Sequence, residues 1–134
     1  MAACRPISKS YMNKSPIVQG ESMPILKYDD LRVHKMAETV DRRQAYTENL
    51  MLTVIDLSVA GSSVPVHAHP HEQISFIVQG RVRFTVGEGD AQETAEVGPG
   101  DVIVAPPNTP HGAEVLSDSA RVIDAFHPIR EDFL

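Results

Sequence analysis

From Pro24 onward, short apolar stretches alternate with turn residues. The spacing predicts strands over Ile25–Tyr28, Leu31–Lys35, Leu50–Val59, Val64–His69, Gln73–Gln79, Arg81–Val86, Ala91–Val97, Asp101–Ala105, His111–Leu116 and Ala120–Phe126. In Arg81-Val82-Arg83-Phe84-Thr85-Val86, polar and apolar residues alternate, so one face of that strand is wet and the other packed. Gln79-Gly80 separates this run from Ile74-Ser75-Phe76-Ile77-Val78 and is a tight-turn signal, which predicts a hairpin. Ala37 to Tyr46 are expected to form a helical turn or two. No long amphipathic helix and no internal repeat is evident, so the pattern predicts one all-β domain, a sandwich or barrel, over residues 24–134. Residues 1–23 mix Ser, Lys, Asn and Pro without apolar periodicity and are expected to form an arm, flexible or swapped onto a partner subunit.

Composition narrows the function classes. A chain of 134 residues suffices for one domain with a real core. Its 10 Pro and 8 Gly beside no Trp fit many short elements joined by turns and packed through aliphatic side chains. The net charge of -6, with no Lys/Arg cluster, argues against a nucleic-acid partner. The longest apolar run, Leu50 to Leu57, is interrupted by Thr53 and Asp56 and falls short of the roughly 20 residues that span a bilayer. Cys4, Arg5, Lys9 and Lys14 stand without the apolar segment of a secretory signal, and a single cysteine forms no internal disulfide, so a reducing, cytoplasmic setting is expected. Cys4 is read as a bystander, because no neighbour would lower its pKa.

The chemistry concentrates between Gly61 and His111. In His67-Ala68-His69, residues two apart on a strand face the same side, so both imidazoles can reach one ion. Gln73 shares that parity, yet a straight strand from 67 to 73 would spread its side chains over roughly 20 Å. Pro70 favours the turn that lets Gln73 open a neighbouring strand and point back at the pair. The stiff loop Pro106-Pro107-Asn108-Thr109-Pro110 then delivers His111. The expected metal ligands are therefore His67, His69, Gln73 and His111, with Glu72 the alternative fourth ligand. His71 is open between lining the pocket and plain exposure, and His34 and His127 are read as structural. Imidazole suits transition metals, and a neutral Gln carbonyl leaves the ion its full positive charge. One divalent ion is expected, with Zn, Ni, Fe and Mn as candidates, and its charge favours a small carboxylate or enolisable substrate.

Gly61, His67-Ala68-His69, Gln73 and Gly80, in that order and spacing, resemble the first motif of the cupin superfamily, with Gln73 where Glu is usual. Gly100, Pro106 and His111 resemble the second, with Asn108 where the family commonly has Gly and Val115 where it commonly has Asn. The resemblance covers about residues 24–134 and implies a single-domain double-stranded β-helix, the cupin jelly-roll barrel. A narrower likeness rests on His67-Ala68-His69-Pro70-His71-Glu72-Gln73-Ile74, on Pro110-His111-Gly112 and on the run from Asp124 to Phe133. These resemble the small monocupins of pectin and alginate breakdown, which open unsaturated monouronates to linear keto acids. That resemblance implies Asp124 as general acid/base and Phe126 as its pocket neighbour, and strand alternation would turn both to one face. Asp124 paired with Arg121 or a turn amide is the alternative. Arg130 either clamps a substrate carboxylate through its two-pronged guanidinium or pairs with the adjacent Glu131-Asp132. Cupin relatives commonly dimerise, which implies a homodimer that covers open sheet edges.

The leading expectation is thus a metal-dependent isomerase that opens the ring of an unsaturated sugar acid. A polyketide-cyclase-like aldol step, an Fe-dependent dioxygenase and a sensor that captures a small acid without chemistry stand beside it.

Overall fold

The computed structural model describes residues 25–134, and the arm expected over residues 1–23, with Cys4, lies outside the described residues. Ten strands realise the alternation: β1 (His34–Ala37), β2 (Val40–Tyr46), β3 (Met51–Leu57), β4 (Ser63–His67), β5 (Glu72–Gln79), β6 (Val82–Val86), β7 (Glu93–Val97), β8 (Val102–Ala105), β9 (His111–Val115) and β10 (Ala120–His127). A six-stranded sheet in the order β1-β2-β3-β10-β5-β8 packs on a four-stranded sheet in the order β4-β9-β6-β7. Neighbouring strands are antiparallel throughout. This is the all-β, single-domain jelly-roll architecture that the sequence implies. Among the described residues no helix is long and apolar enough to cross a membrane.

The registers of the larger sheet line up inward side chains in rows. Arg42, Ile55, Val122 and Ile77 form one row; Gln44, Thr53, Asp124 and Ser75 form the next; Tyr46, Met51, Phe126, Gln73 and Ala105 form the third. The middle row is polar, and it divides the interior. On one side lies the main core of Val40, Ile55, Leu57, Ile77, Val82, Phe84, Ile103, Val115, Ala120 and Val122. On the other, Tyr46, Met51 and Phe126 pack with Ile129 and Phe133. Burying each large aliphatic or aromatic side chain contributes about 1.5–3 kcal/mol, so the main core carries the fold while the polar row is free to serve the interior of the barrel.

Three local expectations are corrected. Residues 37–46 form the β1-β2 turn and strand β2 rather than helical turns. Val40, Gln44 and Tyr46 alternate inward against β3, and that pairing outweighs weak local propensity. Gln79-Gly80 does not close a hairpin, because β5 and β6 belong to different sheets. Gly80, at φ +92, is instead a corner where the chain grazes another strand, and a Cβ there would stand 2.3 Å from the Ser119 carbonyl oxygen. Near the start, a 3-10 turn at Tyr28–Asp30 stands in place of the end of the expected first strand, and β1 begins only at His34.

That turn is tied to the outer face of the sheet. Tyr28 donates to Asp56 Oδ2 at 2.6 Å, while Arg43 and Arg121 each donate to the Tyr28 oxygen at 2.7 Å. Both guanidiniums also lie over the tyrosine ring, at 4.2 and 4.6 Å from its centroid. Burial raises the Asp56 pKa, but donation from Arg121 and Tyr28 and the charges of Arg121 and Arg43 outweigh it and hold the carboxyl below its ordinary 3.8. A group with a depressed folded-state pKa contributes its full stability above the unfolded value and loses it as pH falls through the folded one. Asp56→Asn is therefore expected to destabilise the protein by about 1–2 kcal/mol at neutral pH. The gap in melting temperature to wild type should narrow below pH 3.8. A gap independent of pH would contradict this account.

The outward side chains of the same sheet are apolar over two adjoining rows. Leu52, Ala125, Ile74 and Val104 form one, and Val54, Ile123, Phe76 and Val102 the other. Ile74, Phe76, Val102 and Val104 are all exposed.

Candidate metal centre

Strand β4 ends at His67 and β9 begins at His111, and the two are direct cross-strand partners. Their rings stand 4.5 Å apart. The approach of the two strands requires Gly112, where a Cβ would meet the Val64 carbonyl oxygen and the Val66 backbone nitrogen at 3.0 Å. His69 does not share a strand with His67 as expected, since β4 stops short of it. The chain bends at Pro70 and His71, and His69 reaches the site from the loop, its ring 4.8 Å from that of His111. The proline-rich loop holds it there, because Asn108 N–H donates to the His69 carbonyl at 2.7 Å. Asn108 adopts φ 61, a left-handed conformation in which glycine and asparagine are favoured.

Each imidazole is fixed through Nδ1. His67 Nδ1 lies 2.8 Å from the Pro65 carbonyl, His69 Nδ1 3.1 Å from that of His71, and His111 Nδ1 2.8 Å from that of Thr109. A backbone carbonyl can only accept, so the proton sits on Nδ1, and in a neutral ring Nε2 is left with a lone pair. One ligand atom from each of the three histidines lies within 4.8 Å of the others. His111 Nε2 is buried without a hydrogen-bond partner. Burial, followed by the charge of Arg130, pushes the His69 pKa down to about 4, and burial likewise lowers that of His111, so both rings are neutral near pH 7.

Gln73 opens the inward series of β5, and its Oε1 stands 3.0 Å from His69 Nε2. Both atoms carry lone pairs in this arrangement, and such a pair is favourable with a cation between them. Ligand atoms ~2.1 Å from one ion and at right angles to each other stand ~3 Å apart. These convergent donors, all but His67 buried, thus fit a divalent transition-metal ion. Glu72 points away, its carboxylate exposed and 3.9 Å from His127 Nδ1. His71 adds its carbonyl to His69 and packs its ring edge-on at 5.4 Å, without joining the three-histidine group.

A cavity runs from this group into the barrel. Met36, Phe126, Arg130 and Phe133 are in its lining, with Ile55, Leu57, Val64, Phe84 and Val122 forming an apolar wall and Asp124 a polar one. Asp124 pairs with neither Arg121 nor a turn amide. Ser75 Oγ donates to its Oδ1 at 2.6 Å, and the Gln73 amide donates to Ser75 Oγ at 2.9 Å. Burial pushes the Asp124 pKa up to about 6, against the opposing effects of the Ser75 hydrogen bond, the charges of His67 and Arg130 and a hydrogen bond from Gln73. Phe126 is buried with its ring at 5.7 Å from that of His69. Arg130 is also buried, and its Nε and Nη2 grip the exposed carboxylate of Asp132 at 3.0 and 2.7 Å, so the predicted ion pair forms with its guanidinium inside and its carboxylate at the surface. Its guanidinium stacks 4.2 Å from the Phe133 ring, which Arg42 approaches at 3.8 Å. Ser75, Thr53 and Phe133 were not singled out from the sequence. The one local signal for Ser75 is that it breaks an otherwise apolar strand.

A profile of the cupin domain matches residues 54–126. The pectin degradation protein KdgF of Dickeya dadantii is 30% identical over 91 residues, which span 66% of this chain and 77% of the relative. The structure of KdgF from Halomonas sp. superposes with a TM-score of 0.75 at 33% identity, covering 83% of this chain and 100% of that one. An RmlC-like cupin from Shewanella frigidimarina NCIMB 400 also superposes at 0.75, with 27% identity over 84% of this chain and 97% of that one. With two packed antiparallel sheets gathering three histidines at the mouth of an internal cavity, and with these matches spanning most of the described residues, the chain belongs to the cupin family, as a small cupin resembling KdgF.

Proposed function

We propose that the protein is a metal-dependent isomerase that opens the ring of an unsaturated sugar acid. The observation that carries this reading is a carboxyl, Asp124, and a buried guanidinium, Arg130, set on the same cavity as the three-histidine group. Likeness to KdgF, which in Dickeya dadantii is a pectin degradation protein, supports the substrate class. His67, His69, His111 and the Gln73 carbonyl would hold a divalent ion that supplies Lewis-acid polarisation of a substrate oxygen, its charge undiminished by any carboxylate ligand. Arg130 attracts the substrate carboxylate, and Phe126 packs between that guanidinium and His69. Asp124 removes the proton of the anomeric hydroxyl. The ring carbon–oxygen bond then breaks, leaving an aldehyde and an enolate on the former ring oxygen. Return of the proton from Asp124 to the far carbon of the double bond yields the ketone, so the reaction is an isomerisation with no co-reactant.

The apolar wall of Ile55, Leu57, Val64, Phe84 and Val122 favours a second reading, an aldol-type cyclisation of an enolisable polyketide-like substrate. Incubation with unsaturated monouronates separates the two. Ring opening destroys the conjugated double bond, so ultraviolet absorbance falls with time. A flat trace from the Zn, Ni, Fe and Mn forms alike would end the ring-opening reading.

The proposed macromolecular partner is a second copy of this chain, seated on the outer face of the six-stranded sheet. Across β3, β10, β5 and β8 its two adjoining rows carry no charged side chain, and sheets pack face to face at about 10 Å through such surfaces. Light scattering at micromolar concentration should give twice the chain mass, reduced to one by Phe76→Lys. Monomeric wild type would refute the dimer.

A further inference from the structure

We propose that Ser75 is a positioning residue that decides which end of the Gln73 amide faces the three histidines; the inference rests on the metal reading of that group. The two ends of a glutamine amide have nearly the same shape and opposite chemistry. The oxygen can ligate an ion, whereas the NH2 group, with donors only, repels one. Since Gln73 is buried, solvent does not set its orientation, and something in the protein must.

The order of donors and acceptors along β5 and β10 does so. Asp124 and Ser75 are register partners on these strands. An ionised carboxylate only accepts, so the single Ser75 proton goes to Asp124 Oδ1, at 2.6 Å. The Ser75 oxygen then has only lone pairs to offer, and the neighbouring amide must present its NH2 group, at 2.9 Å. Oε1 is left facing His69 Nε2 at 3.0 Å, where the ion would sit. Ser75 is fully buried, so no water competes for its hydroxyl. Serine supplies what this position needs, one proton and one free acceptor on a side chain small enough for the barrel wall. Alanine would remove the nearest acceptor that favours the NH2 end and leave only the weaker pull of the Asp124 carboxylate, which a hydrogen bond from Gln73 also reaches.

The test is Zn2+ and Ni2+ affinity, measured by competition with a chromophoric chelator, for wild type, Ser75→Ala, Gln73→Glu and the double variant. With Gln73 present, Ser75→Ala is expected to weaken binding about 10-fold, the low end of what loss of a partner to a metal ligand brings. In the Gln73→Glu background both ends of the side chain are oxygens, orientation no longer matters, and the same substitution should change affinity less than about threefold. Loss of the Asp124 partner is common to both backgrounds, so a merely structural role for Ser75 would weaken binding equally in the two. Equal losses, or no loss beside Gln73, would overturn the proposal. Failure of the wild type to bind either ion would instead overturn the metal reading beneath it.

Discussion

His111→Ala is expected to abolish stoichiometric binding of a divalent metal and to lower kcat/KM for ring opening about a thousandfold or more, the loss of several kcal/mol of electrophilic stabilisation. His111 opens β9, opposite His67, and its Nε2 has no hydrogen-bond partner among the described residues. Removing the ring therefore deprives an ion of a ligand without stranding any other side chain. The fold should survive: His111 lies outside the main core, and its contact through Nδ1 is to one loop carbonyl. Elemental analysis after gel filtration, beside a melting curve of metal-free protein, checks both halves. Retention of a full equivalent of metal, or of wild-type turnover, would show that the three-histidine group is not the centre.

Asp124→Asn should separate metal binding from chemistry. The amide keeps an oxygen for the Ser75 hydroxyl but cannot take a proton, so kcat is expected to fall about 10²–10⁴-fold, the usual contribution of a positioned acid/base. Metal content should stay within a few-fold of wild type, because the Gln73–Ser75 contact need not change. Nor should stability fall, since a buried carboxyl is exchanged for a neutral group of the same shape. Undiminished turnover in this variant would remove Asp124 from the mechanism, and loss of metal together with turnover would assign it to the ligand scaffold instead.

How much of this was legible in the sequence follows from how local each feature is. His67, Gln73 and His111 could be placed because short, proline-bounded segments determine where they point. His69 joins the three-histidine group by a route that strand alternation does not give, since the loop pinned by Asn108 turns it inward. The Asp124–Ser75 contact joins residues 49 apart and depends on β10 pairing with β5, a register no local pattern specifies. The missed strand β2 is a similar case. Its inward residues include Gln44 and Arg42, so its alternation is hidden by polar side chains that serve the interior. Gly80 misled in the opposite way: the turn signal was sound, but a turn between sheets and a turn within one share the same residues. The outer rows of β5 and β8 are apolar as well, so neither strand shows in its sequence the alternation of burial that it has in the single chain.

The Nδ1 contacts of His67, His69 and His111 also bear on how such a site persists through sequence change. All three partners are main-chain carbonyls. Every residue carries one, so no single side-chain replacement at 65, 71 or 109 deletes the acceptor, provided the backbone path is kept. The rings have already surrendered much of their rotational freedom when the chain folds, and an arriving ion has correspondingly little left to order. Neighbouring positions can thus vary widely while the histidines hold their aim, which leaves the cavity wall, rather than the ligand cage, as the part free to diverge toward new substrates.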